Sequence, residues 1–325
     1  MSLSLAESRV AQVNILIIGG TRFQGRYLVN ELLDAGHTVT VFHSGGHAID
    51  SRSELVDLIG DRNVPADLAQ LAGCQFDACI DTCAYFPAQI SLLSDALNTR
   101  HYCLISSVYV YADRDALLRE DTPLFRIPGG LEPGLTPDNY GALKALCEEE
   151  VVARFGNGSL ILRPSVIIGV GDHTERLLFW MRLVALHGKR LDITDHDPDV
   201  QLVDVRDLAR FTARCVETTR QGAVNVCGKP VSLTGLLDSI AAITGRQCER
   251  KAVRMADLSR LGLGRLPYCE SGHLARHDTS LSKVWGFSGR GLRGSLADIH
   301  ANFLRQGFAM HNFQAEETAV LRLFA

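Results

Sequence analysis

Tyr140 and Lys144 stand four residues apart in the run Tyr140-Gly-Ala-Leu-Lys144, and a helix there turns both side chains toward one cleft. A free phenol titrates near pH ~10 and is a poor base at neutrality, but a nearby ammonium stabilises the phenolate. Lys144 would thus tune Tyr140 as a proton carrier, and its N–H groups can also hold a ribose hydroxyl. A serine hydroxyl at the end of a sheet helps hold a substrate oxygen, and Ser107, second of the pair Ser106-Ser107, is placed for that. A Tyr and a Lys at helical spacing arise often by chance. The pair gains meaning from Gly19, Gly20, Thr21, Arg22, Phe23, Gln24 and Gly25, which follow the apolar residues 13–18 and precede an amphipathic stretch. Glycines in such a strand-to-helix turn let the chain approach a pyrophosphate and aim free helix N-terminal amides at the anion, a dinucleotide-binding signature.

The elements that must position these residues follow from patterning. Residues 13–19 read as a fully buried first strand and 24–35 as a helix with Leu28, Leu32 and Ala35 on one face, ended by Gly36-His37. Strands are expected at 38–43, 56–60, 78–82, 102–106 and 159–163, and helices at 87–97 and 139–154. The alternation implies an α/β fold, a Rossmann-type doubly wound parallel sheet with helices on both faces. Residues 113–138 carry Pro123, Pro128, Pro133 and Pro137 among several glycines, and read either as a loop over the site or as a plain surface excursion. Past Pro164 the pattern loosens, with helices expected at 175–186, 207–218, 234–244 and 295–304. The division expected is an extension over 1–12, a dinucleotide-binding domain over 13–165, and a smaller C-terminal α/β substrate lobe over 166–325 with some segments returning to the main sheet.

Composition bounds the class. Apolar residues make up 46% and charged residues 22% of 325, as in an ordinary globule, and no apolar run approaches the roughly 20 residues of a membrane span. No membrane association or secretory signal is expected. Nine cysteines, an odd number scattered along the chain, fit a reducing cytoplasm without disulfides. Cys79 and Cys83 read as structural thiols, since no second pair at zinc spacing accompanies them, and no metal is expected. The formal charge of −4 argues against indiscriminate nucleic-acid binding, yet residues 246–293 carry ten basic residues against four acidic, a net of +6. That segment is a solvated surface, an anion-binding substrate lobe or an RNA-binding face.

The order of glycine turn, serine and Tyr-Lys pair, along almost the whole chain, resembles the extended short-chain dehydrogenases/reductases, the superfamily of nucleotide-sugar epimerases and dehydratases. The likeness also rests on Gly60-Asp61-Arg62, on Ile105-Ser106-Ser107 followed by Val110-Tyr111, on Arg163-Pro164, and on Leu202-Val203-Asp204-Val205-Arg206-Asp207-Leu208-Ala209. The resemblance implies that Ser107, Tyr140 and Lys144 form the catalytic set, with Tyr140 as general acid/base and Tyr140 and Lys144 also against the cofactor. It places Asp61 on the adenine with Arg62 beside it, and Asp81, Thr82, Cys83 and Ala84 along the nicotinamide ribose. Pro164, Ser165 and Val166 fall on the nicotinamide side. For Asp61 a helix cap or loop hydrogen bond is the competing reading. A homodimer through the helices flanking the sheet is implied by the family alone.

Departures from the family pattern carry information. Arg22 replaces a common middle glycine, and Gly-Gly-Thr-Arg-Phe resembles an atypical branch containing chloroplast stem-loop-binding proteins, some RNA-associated. Arg22 either sits beside cofactor phosphates or points to solvent. At the end of the second strand, where an acidic residue would bind the ribose hydroxyls of NAD, stand His43 and Ser44. Nothing acidic there repels a 2′-phosphate, and Arg22 and Arg52 tilt the choice between NAD and NADP toward NADP. Val108 and Tyr109 follow Ser107 where dehydratases carry an acidic pair, which leaves redox chemistry or epimerisation on a polar substrate such as a nucleotide sugar. The rival reading is an RNA-binding protein that retains a dinucleotide site; the retained Ser107, Tyr140 and Lys144 and the acidic net charge count against it.

Overall fold

The computed structural model describes residues 11–49, 52–112, 117–126, 134–269 and 276–325. The chain divides into two interleaved units. The first comprises Met1–Ser106, Pro133–Leu162 and Ala209–Ala223, and the second Ser107–Glu132, Arg163–Leu208 and Val224–Ala325. Residues 107–132, which the sequence reading left in the first domain, therefore belong to the second unit.

The central sheet is parallel and seven-stranded. Its strands are β1 (Asn14–Ile18), β2 (Thr38–His43), β3 (Leu55–Ile59), β4 (Ala78–Asp81), β5 (Tyr102–Ile105), β6 (Ser159–Pro164) and β7 (Gly222–Val226), in the order β7-β6-β5-β4-β1-β2-β3. Ile15, Leu16, Ile17 and Ile18 of β1 are all buried, because a strand covered on both faces must be apolar throughout rather than alternating. At β3, the sheet edge, the pattern breaks: Val56 and Ile59 are exposed, and the strand lies one residue earlier than its composition suggests. The chain runs outward from β1 through β2 to β3, then returns to lay β4 on the other side of β1, with Ile18 opposite Asp81. That reversal opens a crevice at the carboxyl ends of β1 and β4, where doubly wound sheets take their ligands.

Three helices of the first unit matter to the site: α1 (Gln24–Asp34), α2 (Pro87–Ala96) and α3 (Tyr140–Phe155). Helices α2 and α3 pack together, and Cys147 and Val151 of α3 join Leu16, Ile18, Phe42 and Leu104 of the sheet in one core.

The second unit has its own core around Phe179, Trp180, Leu236, Ile240, Leu296 and Val320. The helix expected at 175–186 is α-helical over Arg176–Met181 and then widens to a π-helix over Arg182–Leu186. Two parallel strands, Lys189–Ile193 and Glu249–Val253, are absent from the sequence reading, for the second alternates no apolar face and is mostly exposed. The +6 segment is offset locally: Arg250 pairs with Asp192, Arg276 with Asp199, Arg290 with Asp207, and Arg254 and Arg260 with Asp257. Of its three readings, a solvated and internally paired surface is the one this pattern supports. All nine cysteines are free thiols, and among the described residues no helix is long and apolar enough to cross a membrane.

Candidate active site

The glycine turn leaves β1 with Gly19 and Gly20 at φ of 94° and 82°, the left-handed region that side chains rarely adopt. Space is equally restrictive: a Cβ on Gly19 would stand 2.4 Å from Thr82 Oγ1, and one on Gly25 would stand 2.6 Å from the Gly20 Cα. The turn and the end of β4 are thus packed with no room for side chains. Helix α1 then begins without a side-chain cap or an acidic residue in its first turn. The Gly25 and Arg26 N–H groups close on the carbonyls of Arg22 and Phe23 at 2.9 and 3.0 Å, and the positive end of the helix favours an anion. Phe23 enters it at φ of 36°, a strained conformation for an aromatic residue. Gln24 Nε2 donates to the Thr82 carbonyl at 3.5 Å, while its buried Oε1 has no partner. A tight cradle, an uncapped helix and an orphaned acceptor fit a dinucleotide carrying both phosphates and hydroxyls.

Several residues assigned to the cofactor by resemblance are engaged by one another. Arg62 and Asp81, both buried, form a two-point ion pair with each bond 2.7 Å, and Asp81 also accepts from the Tyr102 hydroxyl at 2.5 Å and the Cys83 N–H at 3.0 Å. Burial alone would raise the Asp81 carboxyl, but the Arg62 charge and these hydrogen bonds hold it below the usual range. The pair braces the loop that follows β4 from beneath. Asp61 is exposed and its Oδ1 accepts from the Asn63 backbone N–H at 2.8 Å, the loop hydrogen bond foreseen as the alternative. His43 is also engaged: Nε2 lies 2.6 Å from Asp57 Oδ1 and Nδ1 accepts from the Gly45 N–H at 3.1 Å. Arg52 pairs with Asp34 at 2.6 Å, and Arg22 is exposed. Thr82 closes on β1, its hydroxyl donating to the Ile18 carbonyl at 2.8 Å, and burial pushes the Cys83 thiol up.

Tyr140 opens α3, and Lys144 follows one turn later. Buried Asn139 shapes the approach, accepting from the Thr136 N–H at 2.8 Å and donating to the Gly134 carbonyl at 2.9 Å. The Lys144 ammonium is buried and donates to the carbonyls of Ala84, in the loop after β4, at 2.9 Å and of Ile105, the last residue of β5, at 2.7 Å. Burial lowers its pKa, opposed by the fields of Cys147, Asp81 and Glu148. Ser106 Oγ donates to the buried Glu148 at 2.5 Å, on the same helix. The structure also brings in Tyr85, which the sequence reading passed over: its ring lies 6.4 Å from that of Tyr140. The available signal was its place directly after Asp81–Ala84.

Ser107, Pro164, Ser165 and Val166 fall beyond the first unit. In the second unit Ser107 Oγ accepts from the Tyr109 N–H at 3.3 Å, Ser165 N donates to the Val226 carbonyl at 3.1 Å, and Val166 pairs with Leu202. Residues 113–116 and 127–133 of the Pro-Gly stretch lie outside the described residues. Among the described residues no three His, Cys, Asp or Glu side chains gather as a metal site.

Residues 15–227 match the family model of the NAD dependent epimerase/dehydratase family. No curated protein matches the sequence. Solved structures of the same fold include a nucleoside-diphosphate-sugar epimerase from Pseudomonas aeruginosa, 19% identical with a TM-score of 0.72 over 92% of this chain and 99% of that one. The UDP-glucose 4-epimerase of Thermotoga maritima with UDP-glucose is 15% identical, with a TM-score of 0.69 over 91% and 100% of the two chains. The Bordetella bronchiseptica enzyme WbmH in complex with NAD+ is 18% identical, with a TM-score of 0.68 over 92% and 100%.

Proposed function

Because the chain belongs to the NAD-dependent epimerase/dehydratase family, we propose that it is an NAD(P)-dependent oxidoreductase or epimerase acting at a hydroxyl or carbonyl carbon of a nucleotide sugar. Tyr140 is its general acid/base. The observation that carries this reading is Tyr140 one helical turn ahead of Lys144, whose ammonium is bonded to Ala84 in the loop that leaves the strand beside the glycine turn. When bound, NAD(P) supplies the hydride acceptor or donor.

In the oxidising direction Tyr140 takes the hydroxyl proton while the carbon gives up its hydrogen with the bonding pair. In the reducing direction Tyr140 returns the proton to the oxygen, and epimerisation needs both steps with the hydrogen returned to the opposite face. Two of the three Lys144 N–H donors are held by carbonyls, which leaves one for a ribose hydroxyl and fixes the positive charge near Tyr140. The amides of α1 would hold the pyrophosphate, and Gln24 Oε1 would accept from a dinucleotide hydroxyl. Ser107 would hold the substrate oxygen, a role carried over from the family. The absence of an acidic pair after Ser107 favours redox chemistry or epimerisation over water elimination. The choice of a nucleotide sugar draws support from relatives of the same fold named as nucleotide-sugar epimerases. With His43 and Arg52 engaged by Asp57 and Asp34, a preference for NADP rests on Arg22.

Calorimetric titration with NAD, NADH, NADP and NADPH tests the reading on the wild type, Tyr140→Phe and Arg22→Ala. Micromolar binding kept by Tyr140→Phe, with NADP affinity selectively lost in Arg22→Ala, supports it and leads to a UDP-sugar turnover screen in which Tyr140→Phe is inactive. Folded protein that binds none of the four dinucleotides overturns it and brings RNA binding forward.

A further inference from the structure

We propose that Tyr85 is a positioning residue for Tyr140, its ring fixing the Tyr140 phenol beside the Lys144 ammonium. The proposal rests on the reading of Tyr140 as proton carrier.

Tyr85 is held from both sides along the backbone. The carbonyl of Ala84, directly before it, accepts from Lys144 Nζ, and its own N–H donates to Gln89 Oε1 at 2.9 Å. Gln89 is itself fixed, accepting from the Phe86 N–H at 3.2 Å and donating to Asn63 Oδ1 at 3.0 Å. On this anchored backbone the Tyr85 ring lies tilted by 50° against that of Tyr140, and Lys144 Nζ stands 5.8 Å from its centroid, within cation–π range. One side chain thus touches both members of the pair. Tyr85 is nevertheless 37% exposed, more than a ring recruited for core packing would be.

Two phenols therefore share one ammonium, and their surroundings separate them. Burial, then the neighbouring Tyr140, Cys83 and Asp81, push the Tyr85 phenol up, against a smaller opposing effect of Arg22. Tyr85 is thereby disfavoured as the phenol that ionises, for two neighbouring phenolates would repel.

The test uses full-length protein carrying ring-13C tyrosine, with the Tyr140 signal assigned by its loss in Tyr140→Phe. In Tyr85→Phe, which keeps the ring, that signal and its pH titration match the wild type. In Tyr85→Leu, and in Tyr85→Met as a second ring-deleting variant, the signal is displaced or broadened. It titrates about one pH unit or more higher, a tenfold smaller phenolate fraction at fixed pH. The thermal midpoint shifts by no more than about 4 °C, and the NADH dissociation constant, read by nicotinamide fluorescence, changes less than twofold. An unaltered Tyr140 signal in the ring-deleting variants overturns the proposal. So does a Tyr85→Phe variant as disturbed as they are, which would transfer the role to the hydroxyl. Wild-type protein that fails to bind NADH defeats the proposed function instead, while the Tyr140 signal still decides whether Tyr85 positions it.

Discussion

Arg62 and Asp81 show how a buried charge pair works as a brace. Each has been taken out of water, and each is tolerable because the other and its hydrogen-bond partners are present. Asp81→Asn should therefore cost about 3–5 kcal/mol, since it leaves a buried guanidinium without its counter-charge. The double variant Arg62→Met/Asp81→Asn should recover part of that loss. Urea denaturation of the two single variants and the double variant measures the coupling, and strictly additive losses would contradict it. His101 carries a different liability. Its Nε2 donates to the Arg220 carbonyl at 2.8 Å, its Nδ1 is buried without a partner, and burial lowers its pKa. The unfolded chain takes up this proton near pH ~6.5, whereas the folded protein resists it until lower pH. Stability should decline as pH falls from ~6.5 and level off once the folded-state value is passed. His101→Gln keeps a donor for Arg220 and should flatten that slope in urea titrations across pH 5 to 7 (about the range in which histidine titrates). An unchanged slope would assign the acid sensitivity elsewhere.

Elements differ in how openly the sequence displays them. Strands β1, β4 and β5 are legible from short apolar runs that burial on both faces demands, β2 from its β-branched residues, and Tyr140 and Lys144 because α3 repeats every turn. The strand Glu249–Val253 is not, because its exposed side chains carry no hydrophobic period. The Arg62–Asp81 pair is hidden for another reason: Arg62 lies in the loop after β3 and Asp81 ends β4, 19 positions later, and only the strand order of the sheet makes them neighbours. Tyr85 is signalled only by its place after Asp81–Ala84, since its contact with Tyr140 joins a loop to a helix far along the chain. The glycine turn permits a sharper comparison. Gly25→Ala pushes a methyl into the Gly20 backbone and should cost about 1–3 kcal/mol and abolish NADH binding. Gly36→Ala, at a left-handed φ of 88° but in open space, should cost about 1–2 kcal/mol and leave NADH affinity intact. Denaturation and fluorescence titration of both separate crowding in the cradle from backbone strain outside it; equal NADH affinities would deny the cradle its role.

At the scale of the whole molecule, the C-terminal helix Gln314–Arg322 is tied to the π-helix by Glu317, which receives Arg182 at 2.7 and 3.0 Å and stands 3.1 Å from His187. The second unit therefore draws on residues far apart along the chain. Its three segments alternate with those of the first unit, which itself waits for Ala209–Ala223. On a ribosome, this order of assembly means that neither core can close early. The nascent chain must hold Leu177, Phe179 and Trp180 without the helices that later cover them, a long exposure for a large apolar surface. A fragment ending at residue 227, where the family match stops, would carry that exposure permanently. Expressed alone it should partition into the insoluble fraction and bind a hydrophobic dye, while the full chain stays soluble; a soluble, dye-silent fragment would mean the first unit shelters those residues unaided. Co-expressed chaperones should then raise the soluble yield of the full chain.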